Sequence, residues 1–139
     1  MKHEVLIYNK TKHRVSEKLI KSVISGALEF LEIKQPVELA VLVVDRAEIK
    51  LLNKVWRKKD EIPDELSFGL NSRLPAGRVK FAKDGINVIS LGEIVLNVDK
   101  ISNKNYLSKL LIHSLLHLLG YSHKQMERVE VKVFKHLNI

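Results

Sequence analysis

Val37-Glu38-Leu39-Ala40-Val41-Leu42-Val43-Val44 is the stretch on which the fold of this chain turns. Its residues are apolar except for Glu38, and four are β-branched valines. A run this long without polar alternation reads as a strand buried in a sheet. Pro36, just before it, breaks the preceding helix. That helix is predicted from Ser16, a capping residue, and from Leu19, Ile20, Val23, Ile24, Ala27, Leu28 and Leu31, which recur with a 3.6-residue period. Upstream again, Glu4 to Tyr8 is a short, mostly apolar run that reads as a first strand.

Downstream, Asp45 and Glu48 make a capping-box-like start to a second helix, whose residues Ile49, Leu52, Val55 and Trp56 are expected to face the core. Leu66-Ser67-Phe68 is a weaker strand, and roughly Ile89 to Val98 a stronger one. Between them lies a loop carrying Pro75, Gly77 and Gly85, long enough to suggest a functional segment. Asp99 or Ser102 then caps a third helix, and Met126, Val129, Val133, Phe134 and Leu137 describe a fourth. The order β-α-β-α-β-β-α-α predicts an α/β (α+β) fold: one domain over residues 1–139, with a small, mixed, mostly parallel four-stranded sheet and helices packed on it.

The third helix carries the chemistry. Residues 113–123 read His-Ser-Leu-Leu-His-Leu-Leu-Gly-Tyr-Ser-His. His113 and His117 are four apart and share one helix face. Gly120 can adopt the left-handed conformation that ends a helix, returning His123 toward that pair. A lone histidine on an apolar face is usually a satisfied core residue, but three at this spacing describe a divalent-metal site, with zinc the commonest ion. Three protein ligands leave a tetrahedral ion an open position, which suits catalysis. His3, His13 and His136 have no such arrangement and read as surface residues. The metalloprotease pattern His-Glu-x-x-His places its general base directly after the first histidine, where this chain has Ser114, so peptide hydrolysis by that route is poorly supported.

Composition narrows the setting. Cysteine is absent, which excludes disulfides and thiolate ligands. Neither a signal peptide nor a membrane span is visible, and a cytoplasmic protein with no membrane partner is expected. The formal charge of +8 favours polyanions such as nucleic acid, although surface lysines also serve solubility alone. Arg57-Lys58-Lys59, Arg73, Arg78, Lys80, Lys83, Lys104, Lys109, Lys124, Arg128 and Lys132 spread that charge along the chain from residue 57 onward.

The histidine run resembles the signature H-[GS]-x-L-H-L-x-G-[YF]-D-H of the YbeY family of bacterial metal-dependent endoribonucleases. His113, Leu116, His117, Leu118, Gly120, Tyr121 and His123 match it. Leu52-Asn53 with Trp56-Arg57 resembles the family's L-N-x-x-[YFW]-R, Asp64-Glu65-Leu66-Ser67-Phe68 its T-D-V-L-S-F, and Leu91-Gly92-Glu93-Ile94-Val95-Leu96 its L-G-D-I-V-I. The resemblance implies a single α/β domain holding one Zn2+ on His113, His117 and His123. It implies a single-strand-specific endoribonuclease in small-subunit ribosomal RNA 3′-end maturation and ribosome quality control, with a ribosomal protein or a ribosome-assembly GTPase as further partners. Arg57 and His113 are then the expected catalytic residues, and Arg57, Lys58 and Lys59 the substrate-binding ones. A guanidinium can grip a phosphate bidentately. The general base is open: a metal-bound hydroxide is the economical answer, since no carboxylate lies in the histidine motif, and Glu93 is a further candidate.

Four departures stand out: Ser122 for the signature aspartate, Pro63 for threonine, Glu65 for an apolar residue and Glu93 for aspartate. Ser122 is expected to orient the ligands less well than a carboxylate. Pro63 and Glu65 are expected to alter the entry to their strand. The competing functions are a non-catalytic ribosome-associated zinc-binding factor and a zinc hydrolase of another substrate class.

Overall fold

The computed structural model describes residues 3–69, 78–81 and 87–139. The elements are β1 (Glu4–Asn9), α1 (Glu17–Phe30), β2 (Val37–Val44), α2 (Arg46–Arg57), β3 (Glu65–Gly69), β4 (Arg78–Phe81), β5 (Asn87–Asn97), a 3-10 turn (Val98–Lys100), α3 (Lys104–Leu118) and α4 (His123–Leu137). The α/β class holds, and the sheet has one strand more than the four expected. In order β1-β2-β5-β3, the first three strands run parallel and β3 is antiparallel to β5. Strand β4 also pairs antiparallel with β5. It lies inside the segment expected to be a loop, and the part of that loop carrying Pro75, Gly77 and Gly85 falls outside the described residues.

Three helices cover one face of the sheet. Ile20, Ile24 and Leu28 of α1, Leu111, Leu115 and Leu116 of α3, and Met126 and Val133 of α4 pack with Val41, Val43, Ile94 and Leu96 of the sheet into the main core. Ser16 caps α1, its hydroxyl accepting the Leu19 N–H at 3.2 Å. The cap of α3 is Asn103, which accepts the Tyr106 N–H at 3.0 Å, and neither Asp99 nor Ser102. Asp99 is taken up in the 3-10 turn, which Asn97 caps.

Among the described residues, helix α2 alone covers part of the other face, over a core of Val44, Ile49, Leu66 and Val95. Strand β2 is therefore less enclosed than its apolar run suggested: Val37, Leu39, Val41 and Val43 are buried, while Ala40 and Leu42 are half-buried. The expected inward face of α2 is also corrected. Ile49 is buried and Leu52 half-buried, but Val55 is 48% and Trp56 66% exposed. The sheet-facing row is Ile49, Asn53, Arg57, spaced by four. Asn53, 4% exposed, donates from Nδ2 to the Glu61 carbonyl at 3.1 Å and pins the loop after the helix. That row carries Arg57 to the sheet edge.

The strand that follows is held at its entry by Asn97. The Asn97 side chain donates to the Pro63 carbonyl at 3.2 Å, and its N–H to the Asp64 carbonyl at 3.0 Å. Gly92, in the bulged part of β5, has φ of 126° and pairs with Gly69 of β3. A Cβ there would lie 2.1 Å from the Phe68 carbonyl oxygen, so the close approach of β3 to β5 requires glycine.

Candidate metal and phosphate-binding cleft

The local turn chemistry around the histidines matches the sequence reading closely. Helix α3 ends in a Schellman motif: Gly120, φ 88°, donates to the His117 carbonyl at 3.0 Å and Tyr121 to that of Leu116 at 3.1 Å. Two residues later Ser122 caps α4. Its hydroxyl accepts the Gln125 N–H at 3.2 Å, and Gln125 Oε1 accepts the Ser122 N–H at 3.0 Å. His123 is the first residue of that helix. Serine at this position therefore positions the third histidine by capping its helix, a task a hydroxyl performs as well as a carboxylate.

The turn brings all three rings together. Ring centroids of His113 and His117 are 4.6 Å apart, and those of His117 and His123 5.3 Å. The Nε2 atoms of His113 and His117 are 3.1 Å apart, close to the ~3.3 Å separating two nitrogens on one tetrahedral zinc. His113 Nδ1 faces Glu130 Oε1 at 2.6 Å, so the imidazole donates to that carboxylate and turns its Nε2 lone pair toward His117. Burial, followed by the neighbouring His113 and His123, pushes the His117 pKa below the ordinary histidine value. Among the described residues, no three histidine or carboxylate groups are placed so that together they could hold a metal ion. Three adjoining imidazoles, two of them with nitrogens 3.1 Å apart, are donors of the kind zinc takes.

Facing the histidines, α2 and β3 supply cations and a carboxylate. A cleft of about 480 Å³ is lined by Asn53, Arg57, Lys59, Glu61, Pro63, Glu65, Leu66, Ser67, His117 and His123. The Arg57 side chain crosses β3, donating through Nη2 to the Ser67 carbonyl with its guanidinium 5.0 Å from the Phe68 ring centre. Of the residues expected at the site, Arg57, Lys59, His117 and His123 thus line one cavity, with His113 beside His117. Lys58 does not line it; at φ 59° it ends α2. Glu93 lies with Glu38 and Ser90 along a separate depression and is no candidate base for this cleft.

Two carboxylates escaped the sequence reading. Glu130 carried a signal: it shares a row with the core residues Met126 and Val133, where a charge needs a partner. Glu65 was visible only as a departure from the family pattern. Its Oε2 accepts the hydroxyl proton of Ser114 at 2.6 Å. Among the described residues, no helix is long and apolar enough to cross a membrane.

The family model described as Endoribonuclease YbeY matches residues 6–138. The Endoribonuclease YbeY of Persephonella marina is 34% identical over 116 residues, covering 82% of this chain and 74% of that protein. That of Thermoanaerobacter sp. strain X514 is 36% identical over 140 residues, covering 88% of each. The solution structure of TM1509 from Thermotoga maritima superposes with a TM-score of 0.54 at 22% identity, over 96% of this chain and 91% of that one. That last likeness is one of fold.

Proposed function

The chain belongs to the YbeY family of endoribonucleases, and from that premise we propose that its cleft is a zinc-dependent site for hydrolysing single-stranded RNA, with ribosomal RNA of the small subunit as substrate. The observation that carries the reading is the convergence of Arg57 and Lys59 with His117 and His123 on one cavity from opposite sides of β3.

His113, His117 and His123 would hold the ion, and Glu130 fixes the tautomer and orientation of His113. Bound there, zinc supplies Lewis acidity toward a phosphoryl oxygen. The protein's own residues do the rest. Arg57 is held by the Ser67 carbonyl and the Phe68 ring, which leaves donors of its planar fork for the scissile phosphate. Those contacts preorganise a positive charge where negative charge grows in the transition state. Lys59 adds a second cation at the cleft wall, and the excess of basic residues elsewhere supplies sequence-independent affinity for the RNA backbone. A cytoplasmic setting, and a ribosomal protein or assembly GTPase as delivering partner, belong to the same proposal.

The test measures bound metal and cleavage of a short single-stranded RNA for wild type, His117→Ala and Arg57→Ala. His117→Ala is expected to lose both metal and cleavage. Arg57→Ala is expected to keep its metal while kcat falls roughly 10²–10³-fold. Metal-replete wild type that leaves RNA intact would overturn the nuclease reading in favour of a non-catalytic zinc factor. Activity on peptides alone would turn it toward another hydrolase.

A further inference from the structure

The residue after the first histidine of α3 is Ser114, where a His-Glu-x-x-His helix carries its glutamate. Ser114 is completely buried, and its hydroxyl donates to Glu65 Oε2 across the space between α3 and β3. A carboxylate therefore does reach this part of the histidine helix, through a hydrogen bond and from a strand 49 residues away in sequence. The contact fixes one carboxylate oxygen. Glu65 itself is half-buried and lines the cleft with Arg57, Lys59, His117 and His123.

The other lining groups are poorly suited to accept a proton. Arg57 and Lys59 are cations, Asn53 is an amide, and the histidine nitrogens are committed to the ion in the reading above. Glu61 is the remaining carboxylate. It is exposed and lies on the loop between α2 and β3, and among the described residues its side chain makes no hydrogen bond. Glu65 sits on a strand, with its orientation set by the helix that carries two of the three histidines. Catalytic groups on rigid elements hold their geometry better than groups on loops.

We propose that Glu65 is the general base of this cleft, taking the proton from the water that attacks the scissile phosphodiester. The inference rests on the nuclease reading. The water oxygen forms the new bond to phosphorus as one of its protons passes to the Glu65 carboxylate. The bond from phosphorus to the leaving ribose oxygen breaks with its electron pair, and that oxygen is protonated from solvent. Glu65 then returns its proton to solvent, and no electrons change hands. Ser114 is a positioning residue in this scheme, acting through Glu65.

Glu65→Gln tests the assignment, because glutamine is isosteric and its Oε1 can still accept from Ser114. On metal-replete protein and single-stranded RNA, kcat is expected to fall roughly 10²–10⁴-fold, with KM, zinc content and Tm held. Glu65→Ala should recover part of its activity when formate is added, whereas Arg57→Ala should not. A purely structural role would not produce that rescue. Glu65→Gln within about threefold of wild type, loss of zinc from Glu65→Gln, absence of formate rescue, or a larger loss in Glu61→Gln than in Glu65→Gln would each overturn the assignment while wild type still cleaves RNA. A wild type that cleaves no RNA overturns the nuclease reading and this inference together.

Discussion

The two walls of the cleft are built in opposite ways. The histidine wall is local: eleven consecutive residues contain all three imidazoles, the glycine that reverses the chain and the serine that starts the next helix. It is anchored in the larger core by Leu111, Leu115, Leu116 and Met126. The Arg57 wall is assembled from distant parts. Arg57 comes from α2, its supports Ser67 and Phe68 from β3, and β3 is held in place by β5. Beneath it, among the described residues, lies a smaller core of four buried residues. A cluster of three imidazoles can thus be encoded by short-range turn chemistry, whereas the wall proposed to grip phosphate depends on sheet register.

Gly92→Ala should separate the walls most sharply. The new methyl group meets the Phe68 carbonyl, and alanine is strained at φ 126°. Strain and overpacking together predict a loss of roughly 3 kcal/mol or more, read as a drop in the urea midpoint. Zinc binding at the histidines should survive in the folded fraction while RNA cleavage falls with β3. Equal loss of metal and cleavage would show that the walls are not independent.

Glu130→Gln probes the histidine wall from behind. The amide keeps the shape but not the charge beside His113 Nδ1, so zinc affinity should fall about 10- to 100-fold in a chelator competition. The Arg57 wall should be untouched, and KM for RNA at saturating zinc unchanged.

Ser122→Ala removes the α4 cap and should cost about 1 kcal/mol in denaturant unfolding, while Ser122→Asp should match wild type. A gain in zinc affinity for Ser122→Asp would mean that the residue acts on the metal site as well as on the helix.

The smallest effect lies outside both walls. His3 Nδ1 accepts the Val37 N–H at 3.0 Å, and burial holds its pKa below the ordinary histidine value. The unfolded chain therefore takes up this proton first as pH falls. The contribution of His3 is present above the ordinary histidine range and is lost progressively on acidification below it. The stability difference between wild type and His3→Gln should shrink from pH 7.5 to 5.5, and a constant difference would sink this account.

What could be read in advance follows the same division. Ser16 and Asp45 cap their helices as their spacing predicts, and Gly120 turns the chain as expected, because caps and turns depend on residues within four positions of one another. The inward face of α2 was misread at Val55 and Trp56. Their apolar character fits a helix stripe, but the sheet selects the row Ile49, Asn53, Arg57 instead. Strand β4 was missed because its pairing to β5 lies within a segment whose glycines and proline signal a loop.

The chain's own order of residues determined that three imidazoles would meet, since helix periodicity and a left-handed glycine act over a single turn. Only tertiary structure decided what surrounds them. Glu130 faces His113 from the middle of the next helix, and Arg57 lies across a strand ten residues further on. Glu65 restores, by a hydrogen bond from β3 to Ser114, a carboxylate absent from the histidine motif itself. Those partners depend on which helix row meets the sheet and on the register of β3 against β5, which no local pattern specifies.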